Sequence, residues 1–296
     1  MPDHIAQLKA FPKTKDFFIG IDSDGCAFDT MEPKHKACFY PMTVEHWNLA
    51  CAAKYVRDVW DFVNLYSQSR GCNRFLALLS TFDLLADWPE AVAAGYARPD
   101  ASSLKQWTEE ETKLGNPALE AKVAATNDEF LAQALRWSHA INDQVARTVH
   151  GVPPYPNVPE SLRLVTPRAD IMVVSSTPYE ALAREWAEHD IARYTSMICG
   201  QEQGKKSEHL GYGAGEGKYD ADKVLMIGDA PGDMKAARTN GFLFYPINPG
   251  GEVESWRRFH DEAAERFFSA DYAGEYEQKL IDDFMAHLPD VPPWKQ

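Results

Sequence analysis

The sequence has 296 residues, of which 45% are hydrophobic, and carries a formal net charge of −14 at pH 7. This length and apolar content suit one large domain or two moderate ones with a substantial core. Because so acidic a chain repels phosphate-rich surfaces, nucleic acids and anionic membranes are poor partners for it, whereas a metal cation is compatible with its charge.

The five cysteines are scattered, odd in number, and without C-x-x-C spacing. This pattern argues against a disulfide scaffold or a zinc knuckle and is typical of a reducing compartment. No apolar run of signal-peptide length precedes the first strand, and no later run approaches the length of a membrane span. We therefore expect a soluble, cytoplasmic protein with no membrane partner, as a monomer or a homodimer.

After a polar lead-in over residues 1–16, an apolar run begins at Phe17 and ends abruptly at Asp22, Asp24 and Gly25. The run predicts a central strand of a parallel sheet, buried on both faces. Ligands of open α/β sheets bind beyond the carboxyl ends of the strands, where both carboxylates would lie. Two such acids can divide the roles of nucleophile or metal ligand and proton donor. The alternative interpretation is an Asp-Gly turn between strand and loop.

Residues 43–150 show helical periodicity and no convincing strand, so we predict an all-helical insertion after the first strand. Thr43 is the predicted N-cap of its first helix. Further helices of the insertion are predicted over residues 73–85, 89–94, 104–113 and 117–148. A proline-rich linker at 151–159 returns the chain to the first domain.

The remaining sequence alternates between apolar runs and helical segments, which is typical of an α/β sheet. Strands are predicted over residues 171–174, 195–199, 224–227 and 242–245. Helices are predicted over residues 160–164, 178–189, 234–239 and, as one or two amphipathic helices, 252–288. These last helices either pack on the core or form a dimer interface.

Polar side chains follow three of the predicted strands. They are Asp22 and Asp24 after the first, Ser175 and Ser176 after the second, and Asp229 and Asp233 after the third. In a parallel sheet these strand ends share one edge. Clustered carboxylates are unfavourable unless a cation neutralises them, and a set of oxygen ligands suits Mg²⁺, which bridges to phosphate oxygens. Lys205 and Lys206, between the second and third of these strands, offer a further cation.

These motifs resemble those of the haloacid dehalogenase superfamily, in its phosphatase-like branch with a helical cap. Residues 22–30, DSDGCAFDT, look like its first motif, D-x-D-G-T-x-x-D-S. Residues 173–176 are similar to the second motif, an apolar strand ending in Ser or Thr, and residues 228–233 match the fourth, G-D-x-x-x-D. The resemblance does not extend to the cap's own sequence or to the C-terminal helices.

The resemblance implies an α/β fold with a Rossmann-like parallel sheet and an all-helical cap domain inserted after the first strand. The catalytic core would be discontinuous, over residues 1–32 and 151–250. The cap would cover residues 33–150. Residues 251–296 would form a C-terminal helical extension packed on the core.

The same resemblance implies catalytic roles for individual residues. Asp22 would attack phosphorus and form an aspartyl-phosphate. Asp24 would protonate the leaving oxygen and then activate the hydrolytic water. Ser175 would bind the transferring phosphoryl group. Ser176, which stands where Asn is frequent in the family, is a further candidate for substrate binding.

The resemblance also implies a Mg²⁺ site and a lysine. The ligands would be Asp22, the backbone carbonyl of Asp24 and Asp229, with Asp233 assisting directly or through water. Lys206 is the expected lysine because residues 206–210 resemble the start of the usual helix, and Lys205 is the alternative.

Two positions of the first motif depart from its usual pattern. Ser23 is polar where an apolar residue is common. Cys26 replaces the usual Thr or Val, and a buried structural thiol is the favoured interpretation.

Arg70 and Arg74 flank a glycine turn in the insertion. The functional hypothesis is that one of them binds a second anionic group of the substrate, and the alternative is an ordinary solvated helix start. The overall prediction is a Mg²⁺-dependent phosphatase of a small phosphorylated metabolite. A phosphomutase of the same superfamily, or a catalytically silent relative that binds a metabolite or a protein, remains the alternative.

Overall fold

The computed structural model describes residues 4–295, which divide into two compact units. The α/β unit comprises residues 4–31 and Gly151–Leu288, and the helical unit comprises Glu32–His150 together with residues 289–295. The last residues therefore group with the helical unit, whereas the sequence-based division places all of 251–296 in one extension. Over the described range, none of the helices has both the length and the apolar character that a membrane span requires.

The N-terminal part of the α/β unit begins with a helix that the sequence did not predict. This part of the chain contains α1 (His4–Lys9) and β1 (Phe17–Ile21), and the short helix α2 (Met31–Pro33) follows them. The segment around α1 is polar on average, but Leu8 and Phe11 are buried in a core cluster beside the sheet. Burial of these two side chains stabilises a helix whose composition alone predicts none.

The helical unit contains seven α-helices after α2 and no strand among its described residues. They are α3 (Tyr40–His46), α4 (Ala53–Asn64), α5 (Arg74–Ala86), α6 (Pro89–Ala93), α7 (Ser102–Glu110), α8 (Asn116–Thr126) and α9 (Glu129–Thr148). A π-helical turn at Lys34–Phe39 precedes α3, and a 3₁₀ turn at Ala50–Ala52 precedes α4.

Two local predictions in this unit were wrong. Thr43 does not cap a helix but lies within α3, where its hydroxyl donates to the Phe39 carbonyl at 2.8 Å. A threonine inside a helix can bond in this way to the carbonyl four residues earlier. The stretch predicted as one helix over 117–148 is two, because Asn127 adopts a left-handed conformation (φ 52°) and Asp128 caps α9 through the Leu131 N–H.

The second part of the α/β unit alternates strands and helices as predicted. Its elements are α10 (Val158–Val165), β2 (Ala169–Val174), α11 (Tyr179–Glu188), β3 (Met197–Cys199), α12 (Lys206–Ala214), β4 (Val224–Gly228), α13 (Pro231–Thr239), β5 (Leu243–Pro246), α14 (Glu252–Arg258), α15 (Ala264–Phe268) and α16 (Glu275–Ala286). A π-helical turn at Phe259–Ala263 joins α14 to α15, and 3₁₀ turns lie at Ala192–Tyr194, Gln201–Gln203 and Ala221–Lys223. A last 3₁₀ turn, Pro293–Lys295, belongs to the helical unit.

The five strands form one parallel sheet in the order β3-β2-β1-β4-β5. Successive residues of β1 bury opposite faces: Ile19 and Ile21 join one core cluster, and Phe18 joins another. Ile21 lies opposite Val173 of β2 and Ile227 of β4, so these strands end level with one another. The predicted fold, a Rossmann-like parallel sheet with an all-helical insertion after the first strand, is confirmed.

The C-terminal residues pack inside the helical unit through one tryptophan. Trp294 stacks on Trp88 with ring centroids 4.3 Å apart and meets the edge of Phe62 at 5.6 Å. Aromatic pairs of this kind are worth about 0.5–1.5 kcal/mol beyond their buried area. The tail therefore packs against the core of this unit through the partly buried Trp294.

Candidate active site

The site begins where β1 leaves the sheet. The Asp22 N–H donates to the Ile227 carbonyl at 2.9 Å. This hydrogen bond continues the pairing of β1 with β4 one residue beyond the end of β1. A tight turn over residues 22–28, called here the acidic turn, follows. Its centre is the Ser23 carbonyl, which accepts bonds from the N–H groups of Cys26, Ala27 and Phe28. Gly25 has φ of 76°, a conformation that a residue with a Cβ adopts only with strain.

Three buried carboxylates meet beside this turn. Oxygens of Asp22, Asp229 and Asp233 lie within 4.8 Å of one another, and none of the three residues is more than 5% exposed. Gly228 makes room for the cluster, since a Cβ at that position would lie 2.4 Å from the Asp233 Cβ. The end of β1 therefore brings Asp22 to two acids, Asp229 and Asp233, that lie about 200 residues later at the end of β4 and in the first turn of α13.

Lys206, the first residue of α12, joins two of these acids. Its Nζ donates to Asp22 Oδ2 and to Asp233 Oδ1, each at 2.6 Å. Lys205 is exposed instead, and its backbone N–H donates to Glu208 Oε2 at 2.7 Å. Of the two lysines named from the sequence, only Lys206 brings its ammonium group to the carboxylates.

Burial dominates the protonation behaviour of the cluster. It raises the pKa of Asp22 to about 7, although the adjacent Lys206 ammonium opposes the change. Burial likewise raises the pKa of Asp233, again against the effect of Lys206. Burial lowers the pKa of Lys206, but Asp22 and Asp233 outweigh it, so the pKa of Lys206 ends above its ordinary value. The lysine is therefore a permanent cation, and one ammonium does not neutralise all the acids.

The chemistry of this donor set fits a hard divalent cation. Three carboxylates with a shared focus supply the oxygen ligands that Mg²⁺ prefers, and their excess negative charge over Lys206 leaves a cation electrostatically favoured. The carboxylate of Asp24 is not part of this group. The sequence-based assignment for Asp24 concerned its backbone carbonyl, and that assignment remains a prediction.

The half-buried carboxylate of Asp24 is held by two threonines. The Thr177 hydroxyl donates to Asp24 Oδ2 at 2.7 Å, and the Thr30 hydroxyl donates to Asp24 Oδ1. Sequence reasoning assigned no role to either threonine. Thr30 lies within the first motif, but nothing in the sequence pairs Thr177 with an acid 153 residues away.

Ser175 and Ser176 differ in their surroundings. Ser175 is 2% exposed, and its N–H donates to the Cys199 carbonyl, so it continues the pairing of β2 with β3. Its Oγ accepts a bond from the Thr177 N–H at 3.2 Å, which connects it through Thr177 to Asp24. Ser176, in contrast, is exposed.

The two arginines named from the sequence lie in the helical unit and have unlike environments. Arg70 is only 5% exposed, and its Nη1 donates to the Leu65 carbonyl at 2.7 Å. Arg74 begins α5, and its Nη1 donates to the carbonyl and hydroxyl of Ser138 and to Asn142 Oδ1. Within residues 4–295 no carboxylate pairs with Arg74, and burial lowers its pKa to about 10.

Comparison with known proteins identifies the family. The sequence-family model of the haloacid dehalogenase-like hydrolases matches residues 84–245, which is more than half of the chain. This chain belongs to the haloacid dehalogenase-like hydrolases. The matched segment of the hydrolase contains Ser175, Lys206, Asp229 and Asp233 and begins after the acidic turn. No curated protein sequence matches the chain.

Solved structures similar to this hydrolase include three from bacteria. A haloacid dehalogenase-like family hydrolase from Streptococcus pneumoniae is 13% identical, with 84% of this chain and 93% of that one covered and a TM-score of 0.41. A predicted phosphoglycolate phosphatase from Haemophilus somnus is 16% identical (81% and 89% covered, TM-score 0.45). A predicted phosphatase from Clostridium acetobutylicum is 15% identical (83% and 91% covered, TM-score 0.44).

Proposed function

We propose that this hydrolase is a Mg²⁺-dependent phosphatase that acts on a small phosphorylated metabolite through an aspartyl-phosphate intermediate. The observation that carries the proposal is the Lys206 ammonium, which bridges Asp22 and Asp233 within a buried group of three acids. Phosphoryl transfer requires mainly positioning and charge neutralisation, and this arrangement supports both.

The first half-reaction uses both aspartates of the acidic turn. A carboxylate oxygen of Asp22 attacks phosphorus, and the bond from phosphorus to the leaving oxygen breaks. Protonated Asp24 gives its proton to that oxygen, which leaves as an alcohol. Thr30 and Thr177 hold the Asp24 carboxyl in place during this transfer.

The second half-reaction restores the protein. The Asp24 carboxylate takes a proton from a water molecule as the water oxygen attacks phosphorus, and the bond from phosphorus to Asp22 breaks. Inorganic phosphate leaves, and Asp24 is protonated again. Proton transfer by a positioned carboxyl contributes roughly 10²–10⁴-fold.

Charge neutralisation in this scheme comes from Lys206 and a divalent cation. Asp22, Asp229 and Asp233 would hold Mg²⁺, which when bound offsets the charge of the phosphoryl oxygens and of the nucleophile. Ser175, buried at the end of β2, would donate its hydroxyl to the transferring group, whereas the exposure of Ser176 and Lys205 supports no direct role for them.

For a second anionic group on the substrate, we propose Arg74 rather than Arg70 as the binding residue. In the described chain the Arg74 guanidinium has neutral oxygen partners and lies over the Phe39 ring, 5.1 Å from its centroid, with no carboxylate beside it. A partly desolvated cation without an anionic partner favours an anion. Arg70 is buried and bonded to the carbonyl of Leu65, which supports a structural role.

The test is phosphate release from a broad panel of phosphorylated metabolites, with Mg²⁺ and with a chelator. Wild-type protein, Asp22→Asn and, as the control, Asp222→Asn, which alters an exposed acid of the same unit, are assayed together. We expect release by wild type and the control only, and only with Mg²⁺. Folded protein that releases no phosphate from any compound would reject the phosphatase.

A phosphomutase shares this chemistry up to the aspartyl-phosphate. It would return the phosphoryl group to an acceptor, so phosphorylated isomers would form without free phosphate. Product analysis by phosphorus NMR on the same panel separates this outcome from hydrolysis, and a protein that does neither while still binding one of the compounds would be a silent relative.

A further inference from the structure

Ser23, between the two aspartates, makes side-chain contacts that its place in the motif does not require. It is fully buried. The indole N–H of Trp186 donates to Ser23 Oγ at 3.0 Å, and Ser23 Oγ donates to Glu185 Oε2 at 3.2 Å. Both partners lie in α11, so a polar side chain at a usually apolar position connects the acidic turn to this helix.

The direction of these bonds follows from the groups involved. An indole nitrogen can only donate, so the Ser23 oxygen must accept from Trp186. The hydroxyl proton of Ser23 is then free for another acceptor, and the carboxylate of Glu185 provides one. Glu185 therefore fixes the rotation of the hydroxyl and leaves its lone pair directed at the indole.

Trp186 contacts the acidic turn at both ends. Besides its bond to Ser23, its ring meets the Phe28 ring edge to face, with centroids 5.7 Å apart. Phe28 closes the turn through its own backbone, since its N–H donates to the Ser23 carbonyl and its carbonyl accepts from Gly25. One buried side chain of α11 thus holds the first and last parts of the turn that carries Asp22 and Asp24.

Ser23 also contacts Asp22 directly, because the Ser23 N–H donates to Asp22 Oδ1 at 2.8 Å. Rotation or displacement of Ser23 would therefore move the donor that orients this carboxylate. An error of about 1 Å in a reacting group costs on the order of 10²-fold in rate.

We propose that Ser23, Trp186 and Glu185 form a positioning device that fixes the acidic turn, so that the Asp22 carboxylate is held ready for in-line attack. This inference rests on the proposed phosphatase function. In this proposal the three residues act through the backbone and carboxylate geometry of the turn and not through contact with the substrate.

The bond itself is tested without any activity. The indole N–H signal of Trp186 is identified among those of the eight tryptophans by its loss in Trp186→Phe. In Ser23→Ala this signal should shift, and its hydrogen exchange should become faster. An unchanged signal and exchange rate in folded Ser23→Ala would overturn the proposal.

The positioning role is tested by kinetics on the substrate from the panel. Ser23→Ala, Trp186→Phe and Glu185→Leu should each lower kcat about 10- to 100-fold with KM nearly unchanged. Glu185→Gln keeps an acceptor oxygen and should restore most of the rate. Glu188→Leu, which alters an exposed acid of the same helix, is the control.

A double variant distinguishes positioning from mere destabilisation. Ser23→Ala combined with Trp186→Phe should lose little more than either single change, because both break the same bond. Variants with lower Tm but kcat within twofold of wild type, assayed well below Tm, would overturn the positioning role. Inactive wild type would reject the phosphatase, whereas active wild type with unaffected Ser23→Ala rejects only this inference.

Discussion

Lys206 of the α/β unit and Arg74 of the helical unit are both partly withdrawn from water, but the protein compensates only one of them with opposite charge. Lys206 contacts two carboxylates at 2.6 Å. Arg74 contacts a carbonyl, a hydroxyl, an amide oxygen and the face of the Phe39 ring, all of them neutral. A cation paired within the fold serves the internal charge balance of its site, whereas a cation with neutral partners keeps its charge available for a ligand.

The largest expected effect comes from removing the ammonium group of Lys206, the cation that is paired with carboxylates. Lys206→Met keeps the length of the side chain but leaves the buried acids without their ammonium partner. We expect phosphatase kcat/KM to fall about 10²–10³-fold, the scale seen when one charge-stabilising donor is removed. Lys205→Met is the matched control, because this neighbouring lysine is exposed, and it should stay within about twofold. Comparable losses in both variants would contradict the assigned role of Lys206.

A second substitution, Asp22→Asn, tests how far the Lys206 ammonium offsets the cost of burying the Asp22 carboxylate. Because the folded protein raises the pKa of Asp22 from 3.8 to about 7, folded molecules bind more protons at this group than unfolded ones between these values. The contribution of Asp22 to stability is therefore present below pH 4 and is lost as the pH rises through about 7. Without divalent cations, Asp22→Asn should unfold at a higher temperature than wild type at pH 8.

The expected gain at pH 8 is several degrees, since 1 kcal/mol changes Tm by about 2–4 °C for a domain of about 150–250 residues, the size class of the α/β unit that holds Asp22. At pH 4 the difference between the two proteins should be smaller. Thermal unfolding followed by circular dichroism at both pH values measures it, with Asp222→Asn as a control for the loss of a surface charge. A wild type that is the more stable protein at pH 8 would show that Lys206 compensates Asp22 fully.

The smallest expected effect is a change in Tm that depends on Arg74, the cation without a carboxylate partner. If Arg74 accepts an anion, a dicarboxylate such as malonate should raise the Tm of wild type by about 2–4 °C relative to chloride at equal ionic strength. Arg74→Met should lose this increment. Arg136→Met is the control, because Arg136 is exposed and already paired with Glu129 at 2.8 Å. Equal malonate effects in wild type and Arg74→Met would remove the case for an anion site at Arg74.

Much of the α/β unit could be predicted because its signals are local. An apolar run that stops at Asp22 marks a buried strand and its polar end within a few residues, and the same holds for the run before Asp229. The helical unit was less predictable in detail. The left-handed residue Asn127 and the cap Asp128 divide a periodic stretch without interrupting its pattern, and Thr43 carries the same signature whether it caps a helix or lies inside one.

What could not be predicted depends on residues that are distant in sequence. The bond from Thr177 to Asp24 and the bond from Trp186 to Ser23 each join α/β elements more than 150 residues apart. In the sequence Ser23 is merely polar at a usually apolar position. The structure explains this polar residue, because α11 packs against the acidic turn and provides hydrogen-bond partners for the Ser23 hydroxyl.

The packing of Trp294 has a practical consequence for anyone who handles this protein. The chain passes between its two units three times, after residues 31, 150 and 288. Trp294 packs against Trp88 and Phe62, so removal of residues 289–295 should destabilise the helical unit more than the sheet. The stacked pair of indole rings therefore offers a fluorescent reporter of the integrity of the helical unit.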